Sequence, residues 1–523
     1  MTQGVLPFKY EEEKKDFCTT SLSGSLLFLD LLGKMDFSRM VRDSLRAKEK
    51  RQGWRDFQFL QCLILLNVCG GDCVDDVKRM EADDGLRMVM KHMELGSAFG
   101  RHRRKLKRQW RSGNGKKNAF PSPSSIFRYL FQFHNLREEK RRKSGSFTHT
   151  AFIPESNQHL LGLSGINKAM LEFLQLNNQQ KIATIDMDAT IVESSKEEAN
   201  YSYKKIKGYQ PLNSWWWEHN YAVYTEFRDG NVPAGFEQRR VFEETLSCLP
   251  EDVEKVYLRS DTAGYQHDLL KYCEKGENKR FGRVGFAIGC DVVKEFKQAV
   301  YEVAESDWQP IYQEIEINGK MEQIKTDHEW SEVCYVPNEI SRSKKGPDYR
   351  YLAIRELMSE RELPGAEMEA LCEQVLPFPN IKINNKRYKL FGVVTNLKWD
   401  GGRIIRWHRK RCGYSEQVHS EMKGEFCGGQ LPSGKFGSNA AWWWIMLLSL
   451  NLTSIMKSIV LPQSWKTRRM KTLRFRIINL AGRVIKKGRE LRIRLSKGHP
   501  GFELLVLARH RIWCLCSSCV PGG

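Results

Sequence analysis

The most regular alternation of apolar and polar positions runs from Lys181 to Val192, KIATIDMDATIV. Read as a strand, its side chains point to two faces with a period of two. One face carries Ala183, Ile185, Met187, Ala189 and Ile191, an apolar set suited to pack against helices. The other carries Thr184, Asp186, Asp188 and Thr190. The stretches His219 to Phe227, Val253 to Asp261 and Arg283 to Cys290 also read as strands, with helical patterns over 236–249 and after Gly264. Strands joined through helices predict a mixed or parallel central sheet, in which polar residues at the carboxyl ends of strands are where chemistry is expected. Asp261 falls at such an end. From 291 to about 402 short β-like pieces recur, such as 329–336 and 387–394, broken by Pro364, Pro377 and Pro379. They predict an inserted β-rich subdomain.

The first 165 residues read mostly as helix. Apolar-periodic runs occupy 26–32, 57–66 and 75–80, and Gly70-Gly71 separates the last two. Pro121-Ser-Pro-Ser-Ser125 supplies N-cap chemistry for a helix over 126–133. Late in the chain, Ser438 to Met456 contains no charge and is long enough to span a membrane. Asn439, Ser449, Asn451, Thr453 and Ser454 punctuate it, so it reads as a buried core helix. Tyr414, Val418, Met422 and Phe426 recur every fourth residue and form the apolar stripe of another helix. Glu416, His419 and Lys423 cluster within about 60° on a different face of that helix.

Charge changes the picture next. The 523 residues hold 84 Lys+Arg against 63 Asp+Glu, a formal charge of +21 that favours a polyanionic partner, nucleic acid before an anionic membrane. Nine cations and no acid lie between 101 and 118, and 13 cations with the single acid Glu490 lie between Lys466 and Lys497. Unpaired, such runs repel themselves, and phosphate backbone neutralises them. In the second run Arg474, Arg476, Arg492 and Arg494 alternate with apolar residues, as in a ribbon with one cationic face. The Trp215–Trp217 and Trp442–Trp444 triplets read as core rather than base-stacking platforms. The 14 cysteines are scattered, as thiols of a reducing compartment are, and the first residues have no signal-peptide layout. Cys514, Cys516 and Cys519 lie close together, with His510 available as a fourth metal ligand.

Candidate chemistry starts from Asp186 and Asp188. Two carboxylates on one strand face repel each other and resist desolvation, so a divalent cation is the expected companion. The ordered set of an Asp-x-Asp-x-Thr strand, Leu258-Arg-Ser-Asp-Thr-Ala-Gly-Tyr265 and a late Glu-bearing helix resembles the DDE transposases of bacterial insertion sequences. More narrowly it is similar to the group with a β-rich insertion between the second Asp and the Glu. Lys207-Gly-Tyr-Gln-Pro-Leu212, Arg228 to Ala234, Arg409-Lys-Arg-Cys-Gly413 and Leu431 to Ala440 fit that group. The resemblance covers about residues 20 to 505. It implies an α/β fold with a ribonuclease-H-like core. On this reading residues 1–165 form a helical, basic DNA-binding region, and 166–290 the first part of the core. Residues 291–402 are the β-rich insertion, 403–460 the helical completion of the core, and 461–523 a basic C-terminal region.

The resemblance further implies a catalytic, metal-binding triad of Asp188, Asp261 and Glu416, with Asp186 the alternative first ligand. It implies two Mg²⁺ ions, for which Mn²⁺ would substitute. Of the related Tyr-x2-Arg-x3-Glu-x6-Lys signature, Lys423 stands seven residues after Glu416. Its Arg place is Cys412, beside Arg411, and its Tyr place is Arg409. Lys423, Arg411, Arg409 and His419 are then the expected phosphate contacts. The implied activity is cleavage at transposon ends and 3′-OH strand transfer into target DNA. The implied partners are both DNAs, with a homodimer in the synaptic complex, no membrane, and a bacterial, nucleoid-associated cytoplasmic setting. The residues also leave open a catalytically decayed DNA-binding protein acting as an inhibitor, and a nuclease of the same fold without strand transfer.

Overall fold

A computed structural model describes residues 11, 17–48, 53–96, 100–111, 118–144, 151, 153–317, 320–337, 349–358, 376, 378–488 and 490–517. The chain divides into two units. One comprises Leu136–Glu155 and Asn167–Ser420, the other Met1–Asn135, Ser156–Ile166 and Glu421–Gly523.

The first unit is built on the alternating stretch, which forms strand β1, Ile182–Ala189. The chain then turns back through the hairpin β2 (Leu212–Trp216) and β3 (Tyr221–Glu226). A helix, Gln238–Ser247, carries it across to β4, Lys255–Ser260. The helix His267–Lys275 leads on to β5, Gly285–Cys290. The strand order is β3-β2-β1-β4-β5. β4 runs parallel to β1 and β5 parallel to β4, whereas β2 is antiparallel to both β1 and β3. One reversed strand in an otherwise parallel set, in this order, is the ribonuclease-H-like arrangement expected from the sequence.

The predicted β-rich segment is β-rich, but it is not a separate sheet. Its strands β6 (Gln309–Ile317), β7 (Lys320–Val333), β8 (Arg350–Leu357), β9 (Asn380–Ile383) and β10 (Lys386–Thr395) continue the core sheet beyond β5. The junction is the antiparallel pairing of β10 with β5, Gly392 opposite Cys290. Pairing satisfies the open edge that β5 would otherwise present. β7 also begins earlier and ends earlier than the 329–336 pattern indicates. Pro364 and Pro377 lie outside the described residues.

One face of this sheet is sealed by the helix Gly401–Arg409. Ile404 and Ile405 pack with Ile311, Trp330, Leu352, Ile354 and Val393, with Trp399 and Trp407 alongside. Asp400 caps this helix, accepting from the Arg403 amide at 2.9 Å. The helix can start this close to the sheet only because residue 401 is glycine. A Cβ there would stand 2.1 Å from the Trp330 ring.

The second unit is mainly helical. Phe436–Ile455 is buried along its whole length, so the apolar stretch is a core helix in the protein. Asn67, on the helix Asp56–Cys69, donates to the Ser449 hydroxyl at 3.1 Å inside that core. Gly70 ends the Asp56–Cys69 helix at φ +90°, a left-handed conformation open to glycine. Arg474 donates to the freed carbonyls of Val68 (3.0 Å) and Asn67 (2.6 Å). Ser122 caps the helix Pro123–Phe131 as predicted. The C-terminal hairpin Gly482–Lys487/Glu490–Arg494 forms a three-stranded sheet with Thr19–Thr20. Arg492 and Arg494 are exposed on one face of it, whereas Arg474 and Arg476 lie in a helical turn and not on the ribbon.

Candidate active site

Register explains what the sequence left open on β1. The parallel pairing sets Asp186 opposite Arg259 and Met187 opposite Ser260. One residue further along each chain stand Asp188 and Asp261. The same alternation therefore creates two pairs in succession, an acid against a base and then an acid against an acid.

The first pair is closed. Arg259 donates from Nε to Asp186 Oδ1 at 2.6 Å and from Nη2 to Oδ2 at 2.7 Å. Its Nη1 donates to the Trp407 carbonyl at 2.7 Å. The guanidinium also lies over the rings of Trp217 (4.8 Å) and Trp407 (5.2 Å). Both charged side chains are almost wholly buried. Burial pushes the Asp186 carboxyl up, and the arginine opposes that push. With both oxygens engaged by one fork, Asp186 is structurally committed.

The second group is open. Asp188 is partly exposed at the end of β1, and Arg411 Nη2 approaches its Oδ2 at 3.4 Å. Asp261 follows β4 and caps a short turn, accepting from the Ala263 amide at 3.1 Å. Burial pushes both carboxyls above the usual carboxylate range. Asp188 adds to the rise at Asp261, Glu416 adds to the rise at Asp188, and Arg411 opposes both. Three acids and one arginine thus share one field.

Glu416 is exposed on the short helix Tyr414–Ser420. Tyr414 anchors that helix, edge-on to Trp217 at 4.7 Å and to Trp215 at 6.3 Å. The Trp215–Trp217 triplet is core, as read, and it supports the site. His419 meets Asn213 at 3.3 Å, and Asn213 stands opposite Asp188 in the β1–β2 register. Arg409 ends the Gly401–Arg409 helix, half-buried, its side chain destabilised as a cation by burial. Lys423 belongs to the other unit, on the π-helical turn Glu421–Glu425, so the stripe helix is shorter than its periodicity suggests.

Sequence reasoning missed three contributors. Arg259 was detectable, because it precedes Asp261 by the interval at which Asp186 precedes Asp188. Asn213 had no local signature. His408, buried, donates from Nε2 to the Ser260 carbonyl at 2.9 Å and ties the helix to the strand end before Asp261. Burial, then Arg411, push its imidazole down to about 3, so it is neutral near pH 7.

The donor chemistry fits a hard divalent cation, since anionic oxygens that raise one another's proton affinity gain from a shared positive charge. Among the described residues no three His, Cys, Asp or Glu side chains are gathered closely enough to hold a metal ion. Cys519 of the C-terminal cysteine group lies outside the described residues.

Strand-end acids on a ribonuclease-H-like sheet are an arrangement suited to phosphodiester chemistry on nucleic acid. The model of the family described as "Transposase DDE domain group 1" matches residues 18–515, and the chain belongs to that family. It is a DDE-type DNA transposase. Among solved structures, a cryo-EM structure of the piggyBac transposase synaptic complex with hairpin DNA aligns over 96% of this chain and 86% of that one. Its TM-score is 0.40 and its identity 12%, so the family match alone carries the assignment. No curated protein matches the sequence significantly.

Proposed function

We propose that the protein cuts DNA at the ends of its element and joins the freed 3′-OH ends to target DNA, using Asp188, Asp261 and Glu416 as its catalytic acids. The observation that supports this triad is the register that sets Asp188 beside Asp261 while Arg259 occupies both oxygens of Asp186. Asp188, not Asp186, is then the first metal ligand. Divalent cations, Mg²⁺ by preference and Mn²⁺ as substitute, would supply activation of water and stabilisation of the leaving oxygen. Arg411, Arg409, His419 and Lys423 would hold phosphates as cations or hydrogen-bond donors. His408 and Arg259, both buried, would keep the strand ends in place.

The basic elements suit the same partner. Arg101, Arg103, Arg104, Lys105, Lys107 and Arg108 are exposed on the helix Gly100–Arg111. Lys116 and Lys117 lie outside the described residues. On the C-terminal hairpin Arg483 stands directly opposite Arg494. Like charges in that relation repel, and a phosphate backbone relieves them. Synapsis of two element ends would make the working form a homodimer.

A plasmid excision assay with supercoiled donor DNA, Mg²⁺ and purified protein tests this reading. Cleavage at element ends followed by joined products is expected, with both lost in Asp261→Ala and Glu416→Ala. Unchanged cleavage in either variant would sink the triad. Cleavage without joining would reduce the protein to a nuclease.

A further inference from the structure

The two arginine–aspartate contacts on β1 differ in a way that gives Arg411 a role of its own. Arg259 uses all of its nitrogens; Arg411 does not. The Arg411 side chain is only 7% exposed, yet its one contact to Asp188 is a single approach at 3.4 Å. Its Nε is buried with no hydrogen-bond partner among the described residues. A guanidinium prefers to spend its planar fork on two parallel bonds, and a buried donor left unmade is destabilising. The side chain is therefore held near the acids by charge rather than by fitted geometry. Its charge reaches Asp186, Asp188 and Asp261 together. It sits where a cation shared by Asp188 and Asp261 would have to act.

We propose that Arg411 is a built-in, displaceable counter-ion of the acid cluster, which holds Asp188 until a divalent cation takes its place. The idea rests on the metal-binding role assigned to Asp188 above. Two positive charges cannot both occupy the field of one carboxylate at short range without repelling each other. Cation binding must therefore work against Arg411, and the cation must turn the guanidinium out of its buried position. The unpaired Nε lowers the cost of leaving. An arginine released beside a loaded site is then free to engage a DNA phosphate, so one residue would couple metal loading to DNA binding.

Mn²⁺ binding by the full-length protein without DNA, followed by calorimetry or electron paramagnetic resonance, tests this. Arg411→Gln and Arg411→Ala should bind Mn²⁺ about tenfold more tightly than the wild type, or about 1.4 kcal/mol. Arg411→Lys, which keeps the charge, should stay near the wild-type affinity. Equal or weaker binding in the two neutral variants overturns the proposal. A second measurement uses the unaltered chain. Phenylglyoxal labelling of the peptide containing Arg411 should be slow without metal and several-fold faster with Mn²⁺, and labelling unchanged by Mn²⁺ overturns it equally. Asp188→Asn separates the two ideas. If it leaves Mn²⁺ binding intact, the metal site itself is misassigned; if it abolishes binding while the Arg411 variants do not tighten it, only the counter-ion role fails.

Discussion

Asp186 and Asp188 sit two residues apart on one face of one strand, and each faces an arginine. At Asp186 the partner is bidentate, stacked between two tryptophans and sealed from water. At Asp188 it is a single longer approach beside two further acids, at a partly exposed strand end. Identical side chains thus serve opposite ends. A closed pair fixes the strands, and an open one leaves a carboxylate oxygen to chemistry. On the proposed reading, a carboxylate's availability, rather than its presence, selects it as a ligand.

The largest expected effect separates the two aspartates directly. Asp188→Asn should lower DNA cleavage by at least about a thousandfold, equivalent to about 4 kcal/mol of barrier. Asp186→Asn should cost about 10- to 100-fold, as losses behind a metal ligand usually do. The same plasmid assay reads both, and a reversed order would overturn the comparison.

The next effect is on stability. Arg259→Met leaves a buried carboxylate unpaired and should destabilise the protein by about 3–5 kcal/mol in urea unfolding. Adding Asp186→Leu to it should restore most of that loss, because a well-packed apolar pair replaces a buried ionic one at little net cost. No recovery in the double variant would mean that the pair does more than neutralise itself.

The smallest effect concerns the neighbouring tie. His408 has its proton affinity depressed in the fold, from an ordinary 6.5 to about 3. The unfolded chain therefore binds the proton more readily, and stability from this residue is full above about pH 6.5 and is lost as pH falls towards 3. Between pH 7 and pH 5 the loss should be about 2 kcal/mol. His408→Gln should flatten that part of the pH profile measured by urea midpoints, and an unaltered slope would show that another group titrates there.

Much of this is legible in the sequence alone. Alternation exposed β1 and the strand ending at Asp261, and four-residue spacing exposed the helix that bears Glu416. Glycine and serine marked the ends of the Asp56–Cys69 and Pro123–Phe131 helices, because those signals are local. What escaped was everything set by pairing across sequence. The pattern of β1 cannot say that residue 186 meets residue 259, nor that β10 joins β5 and turns an expected subdomain into more of the same sheet. The apolar stripe ending at Phe426 predicts one helix, yet the ladder shifts to a π-helical turn after Ser420.

The buried Phe436–Ile455 helix also bears on synthesis. Asn67 must wait for Ser449, 382 residues later, to complete its core contact. At about 5–20 residues per second on the ribosome, that delay is roughly 20–75 s. During it the Asp56–Cys69 helix can stack Phe59 on Tyr129 but lacks the late helix that completes its packing. A nascent chain so arranged keeps apolar surface of its first helices uncovered until the last fifth of the chain emerges, so a product truncated before Phe436 lacks the element that closes its core.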